Sequence, residues 1–136
     1  MTSNTSSCTS GRSRSQLAAD IIAVGSALRS LVSGLEPKDV PLTFAPEVWA
    51  AFAEVQRIAA SGQVLMTARA AEAREWERER YASAADWLAA QQGTTPGRAR
   101  ADLETSERLA DLEATADAVR AGRLSPEQAG AVAGAA

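Results

Sequence analysis

From Ser15 onward, Leu17, Ile21, Val24, Leu28, Leu31 and Val32 recur at the spacing that places apolar side chains on one face of a helix. Gly34 stops this first amphipathic helix. Pro37, Pro41 and Pro46 then remove amide donors and bias their neighbours away from helix, so 34–46 reads as a connecting loop. Pro46 opens a second pattern. Val48, Phe52, Val55, Ala59, Gly62, Met66, Arg69, Ala73 and Trp76 follow at alternating intervals of four and three, the seam of one long helix that packs against a partner. Ser61-Gly62 weakens its middle by about 1 kcal/mol relative to alanine or lets another helix come close. Its charged end offers Arg74–Glu77, Glu75–Arg78 and Glu77–Arg80 pairs at i, i+3, each worth only ~0.2–0.5 kcal/mol, and reads as a solvated face.

The stretch 83–133 carries the densest punctuation and reads as three or four short helices. Ser83 and Asp86 form an S-x-x-D cap, Thr95 precedes Pro96, and Ser125-Pro126-Glu127-Gln128 joins a cap, a first-turn proline and an S-x-x-Q box. Gly93 and Gly122 suit left-handed helix ends. Leu88-Ala89 followed by Gly93 has helix-turn-helix spacing, with Thr95 capping the second helix. On a helical period from Pro96, Ala99, Leu103, Ser106 and Ala110 share one face, and Arg98, Ala101, Thr105 and Arg108 share the opposite one. Short side chains between arginines are what a groove-reading helix uses, so Thr95, Arg98, Ala101, Thr105 and Arg108 are the candidate DNA-binding residues. Charge argues the other way: residues 94–113 hold three arginines against Asp102, Glu104, Glu107, Asp111 and Glu113. Asp102 also stands where a helix-turn-helix usually has an apolar residue.

Four islands carry a resemblance. LVSGLEPKDVPLTFAPEVW at 31–49, SAADWLA at 83–89, GTT at 93–95 and AVRAGRLSPEQ at 118–128 make 31–133, about three quarters of the chain, resemble the actinobacterial domain of unknown function that precedes HNH endonuclease modules, a group that includes the thirteen-E-twelve repeat proteins. The sequence departs from that pattern at Glu113, where relatives often have proline, and at Glu79-Arg80, where they often have glycine. The resemblance implies the helical region ahead of a nuclease module, with the proposed job of positioning that module on DNA. It also implies a chain that continues past residue 136, with apolar faces at Leu103, Leu112, Val119 and Val132 left partly open.

Composition narrows the alternatives. The hydrophobic share is 46%, much of it alanine, and aromatics are 4%, which favours close-packed helices over bulky strands. Trp76, Tyr81 and Trp87 cluster at the junction of the long helix with the short ones; stacking on bases is one use for them, and packing in the core is the expected one. Net charge is −3, so the chain is not generally basic. Residues 1–14 are Ser/Thr-rich and polar, the composition of a disordered tail, and contain the lone Cys8, which excludes an internal disulfide. The apolar run at 17–28 is interrupted by Asp20 and followed by no convincing cleavage site, and no window reaches ~18 consecutive apolar residues, so neither export nor a membrane span is expected. With no histidine and only one asparagine, Asn4, the chain lacks an HNH motif, a Ser-His-Asp triad and any histidine-bearing zinc site. No phosphate-binding glycine loop occurs.

These readings converge on an all-α bundle with one long helix and a helix-turn-helix-like C-terminal half, organised as a tail over 1–14 and a helical domain over 15–136. The chain is expected to be cytoplasmic, non-catalytic and free of cofactor or metal. DNA is the expected partner, through the 95–108 helix. The alternative is a protein-interaction module that self-associates through the 48–76 helix.

Overall fold

The computed structural model describes residues 14–135. The expected tail, Cys8 included, lies outside the described residues apart from Arg14. Among the described residues the fold is all-α: α1 is Arg14–Ser33, α2 Ala45–Glu72, α3 Glu75–Arg78, α4 Ala84–Gln92, α5 Pro96–Leu109, α6 Glu113–Arg120 and α7 Pro126–Ala135. The chain divides into two compact units at Ala45 and Pro46.

In the first unit, α1 ends one residue before Gly34, and a single 3-10 turn, Pro37–Asp39, interrupts the proline-rich connection. The apolar stripe of α1 is present but uncovered: Leu17, Ile21, Val24, Leu31 and Val32 are all exposed. Ile22, away from that stripe, is 70% exposed as well. By length and composition alone Gln16–Ser33 is apolar enough to cross a membrane, at a mean hydropathy of 1.2, but Asp20 and Arg29 fall inside that window and it is not a run of consecutive apolar residues.

In the second unit, the local signals are each realised. The Ser83 hydroxyl accepts the Asp86 amide at 3.1 Å, and that of Thr95 accepts the Arg98 amide at 3.1 Å. Ser125 and Gln128 satisfy each other's backbone amides at 2.9 and 3.1 Å. Gly93 and Gly122, at φ 75 and 76, close α4 and α6. The start of α6 has no side-chain cap, since the residue before it is Leu112.

Packing in this unit depends on small residues. α5 packs against α4 on one side and α7 on the other, and α6 against α7. Val64 of α2 joins Leu109, Ala116, Val119 and Ala129 in the main core, with Val119 fully buried, while Ala85, Ala89 and Ala99 form a second cluster. Serine and threonine replace apolar side chains at the closest approaches. Ser106 of α5 accepts the backbone amide of Ala68 on α2 at 2.9 Å, and a Cβ on Gly130 of α7 would lie 3.0 Å from the Thr105 hydroxyl.

Five expectations need correcting here. The seam of the long helix is not its buried face: Val55, Gly62, Met66, Arg69 and Ala73 are exposed, and the helix instead buries Ser61, Val64 and Thr67. That face meets Leu109, Val119 and Ala129 at Val64, and Ser106 at the Ala68 amide, so it is short side chains of α2 that fit the close approach. The helix also stops at Glu72, because Arg74 turns left-handed at φ 58; Trp76 belongs to the separate α3. Of the charged pairs, Arg74–Glu77 and Glu75–Arg78 form, but Glu77–Arg80 does not, because Arg80 is itself left-handed at φ 65 and has left the helical spacing. Finally, Val119 is not on an open face, and the aromatic cluster is half-buried and not core: the Trp76 indole donates to the Ala71 carbonyl and the Trp87 indole to Glu79.

Two stability predictions follow from this packing. Gly130→Ala should cost about 1 kcal/mol despite its better helix propensity, because the Thr105 hydroxyl in its way is held by the Ala101 carbonyl at 3.0 Å. Gly134→Ala, which meets only a flexible arginine, should cost nothing. Adding Thr105→Ala should recover most of the Gly130→Ala loss in a double-mutant cycle by chemical denaturation. Conversely, Arg80→Gly should stabilise by about 0.5 kcal/mol, since a left-handed non-glycine costs roughly 1–2 kcal/mol and the extra freedom of unfolded glycine returns part of that. A midpoint at or below that of the parent chain, with an unchanged denaturant slope, would contradict this.

Candidate functional site

α4, the Gly93 turn and α5 follow one another as two short helices joined by a left-handed glycine, and the five candidate residues occupy four different situations there. The Thr95 hydroxyl is engaged by its own helix as the N-cap. Ala101 is exposed, and its carbonyl accepts the Thr105 hydroxyl. Thr105 is buried against α7 and so does not belong to an outward stripe; the expected single face is split because α7 covers it. Arg108 is exposed and lies near Gly134 of α7, 3.6 Å from where a side chain there would begin.

Arg98 is the most constrained of the five. Its Nε donates to Asp102 Oδ1 at 3.3 Å and its Nη1 to Glu127 Oε1 at 3.2 Å, tying the start of α5 to the start of α7. The hydrogen-bonded Glu127 carboxylate, followed by the charge of Asp102, raises the Arg98 pKa above the ordinary arginine value, with burial opposing it. Asp102 therefore has a clear role: at the expected apolar position of the motif stands a carboxylate, 17% exposed, that is half-buried because an arginine one turn earlier accompanies it.

The outer surface of α5 is electrically balanced. Arg100 and Arg108 share it with Glu104 and Glu107, and Arg98 is already committed to two acids. A surface of this kind supplies no net field to draw in a phosphate backbone. Among the described residues no group of three or more His, Cys, Asp or Glu side chains is placed to hold a metal ion.

Sequence reading missed a cleft among α2, α4 and α5. It encloses about 180 Å³ and is lined by Met66, Ala70, Trp87 and Leu88 on its apolar side and by Gln63, Gln92 and Asp102 on its polar side. The Gln92 side-chain amide donates to that of Gln63 at 3.2 Å across it. No periodicity marks these residues together, since they come from three helices; only the Arg98–Asp102 spacing at i, i+4 was readable as a pair.

The ion pairs give a discriminating test. Arg98→Ala should lower stability by about 1 kcal/mol, a figure discounted for the partial exposure of the pair, because Asp102 is left half-buried without its cation. Arg108→Ala should leave the thermal midpoint unchanged. Equal effects of the two substitutions would show that the Arg98 bridge does not hold α5 to α7.

Against protein-family models, curated proteins and solved structures, the chain finds no match.

Proposed function

We propose that this chain is a non-catalytic helical interaction module that works by self-association. The observation that carries the reading is the number of large apolar side chains left in solvent in each unit. In the first, Leu17, Ile21, Ile22, Val24 and Leu31 are joined by Phe44 and by Leu42, which is 89% exposed; in the second, Trp49 is 74% exposed, with Ile58 and Met66 also open. Scattered single exposures are ordinary in a folded chain, but runs of this kind mark surfaces that another protein surface covers, and tryptophan is an effective anchor there. The Leu17, Ile21, Val24, Leu28, Leu31 spacing of four, three, four and three is that of a helix seam that a like helix can fill.

DNA positioning is the second reading. Its support is the family resemblance, whose two departures fall where the backbone makes sense of them. Glycine in relatives corresponds to the region of left-handed Arg80, and proline to Glu113, the first residue of α6, where a proline costs no hydrogen bond. The two readings differ in what the chain touches: self-association needs no contact with a DNA groove, and DNA positioning does. A cytoplasmic setting belongs to the same proposal.

Sedimentation velocity separates them. The self-association reading expects a sedimentation coefficient that rises with protein concentration through the micromolar range, falls to the monomer value in an Ile21→Glu, Leu31→Glu variant, and is insensitive to added duplex DNA. A monomer at all concentrations, together with a salt-dependent mobility shift of DNA that Arg98→Ala and Arg108→Ala weaken, would replace this reading with the second.

A further inference from the structure

The turn between α2 and α4 contradicts its own sequence. Residues 73–80 read AREWERER, with no glycine, proline, asparagine or aspartate, and alanine, arginine and glutamate are among the strongest helix formers. The backbone nevertheless breaks twice there, at Arg74 (φ 58) and Arg80 (φ 65), both in the left-handed region that strains any side chain. Local preference and tertiary placement therefore disagree over this segment. Its side chains are mostly in solvent, with Arg74, Glu77, Arg78, Glu79 and Arg80 all exposed. The bend is bridged by two indole bonds, Trp76 to the Ala71 carbonyl at 3.3 Å and Trp87 to Glu79 at 2.8 Å. The first of these takes up the carbonyl that a continued α2 would offer to the Glu75 amide. The seam read from the sequence adds an independent observation. Its spacing of four and three runs through Met66, Arg69, Ala73 and Trp76, across the break at Arg74, and these positions share one face only where the helix is continuous.

We propose that α2 and α3 straighten into one helix and that the chain thereby exchanges its α4–α7 bundle with a second copy. In the monomer α2 buries Ser61, Val64 and Thr67, with Val64 against Leu109 and Val119 and the Ala68 amide on Ser106. Straightening the hinge carries the bundle off its own α2. The α2 of a second copy offers that bundle the same surface, so each buried contact is remade between chains. What changes is the hinge, where two strained residues become helical and Glu77 and Arg80 reach pairing distance, set against the association of two chains. The occupant is a second copy because the face left open is one that this chain's own bundle already fits. The inference does not rest on the exposed apolar residues of α1 and survives the failure of that reading.

The test uses the full chain carrying Ile21→Glu and Leu31→Glu, which removes association through α1. Refolding at millimolar concentration, followed by dilution to micromolar and size-exclusion chromatography, should leave a dimer that persists for hours, since exchange back requires the bundle to leave α2 again. When one nitrogen-labelled and one carbon-labelled chain are refolded together, an isotope-filtered Overhauser contact should connect the Ala68 amide of one copy with the Ser106 side chain of the other. Arg74→Gly with Arg80→Gly relieves both left-handed positions and weakens the straight helix, so the ratio of dimer to monomer at equal loading should fall at least about a hundredfold. Both substitutions lie on the exposed hinge and leave the bundle intact. No dimer surviving dilution, a dimer without the intermolecular contact, or an unchanged dimer fraction in the glycine variant would overturn the proposal.

Discussion

A hydroxyl on one helix can reach a backbone amide in the middle of another only where the side chains between them are small. The bond from the Ala68 amide to Ser106 therefore fixes how closely α2 and α5 approach, and the rest of the second unit is built to that spacing. Ser61 and Thr67, on the same face of α2, return their hydroxyls to carbonyls of their own helix at 2.9 and 2.7 Å, so they can be buried without an unsatisfied group. Ala99, Ala129 and Gly130 extend the same economy of size across α5 and α7. A helix with leucine at these positions would stand farther off and lose the bond.

The same closeness explains why the helix-turn-helix-like pair does not present the surface its spacing suggests. Once α7 lies on α5 through Gly130, Thr105 is enclosed, and Glu127 at the first turn of α7 comes within reach of Arg98. What would be a phosphate-facing arginine in an open motif becomes a bridge between two helices. The exposed remainder of α5 is balanced in charge, so α5 acts here chiefly as the central element of the bundle.

Local grammar was readable in the sequence, and tertiary pairing was not. Caps at Ser83, Thr95 and Ser125 and left-handed glycines at 93 and 122 act within one or two turns, so spacing alone locates them. The start of α6 escaped because Leu112 carries no capping group. The end of α2 escaped for a related reason: Arg74 and Arg80 take a conformation that glycine normally announces. Faces were harder still. The alternating seam from Val48 to Trp76 is real as a pattern, but the buried side, Ser61, Val64 and Thr67, is chosen by size and hydroxyl pairing, neither of which a polar-versus-apolar pattern records. The cleft shares that limitation, because Met66, Trp87 and Asp102 meet only when three helices are assembled.

A core in which alanine, serine and threonine outnumber the larger Val64, Leu109 and Val119 has a consequence for how this unit responds to temperature. The heat capacity of unfolding grows with the apolar area newly exposed and falls with the polar area, and this core releases little of the first and some of the second. Its stability curve is accordingly flatter than that of a leucine- and phenylalanine-filled bundle of equal length, with less lost on cooling and a more gradual decline on warming. The small side chains that set the helix spacing thus also set the breadth of the thermal range over which the fold persists.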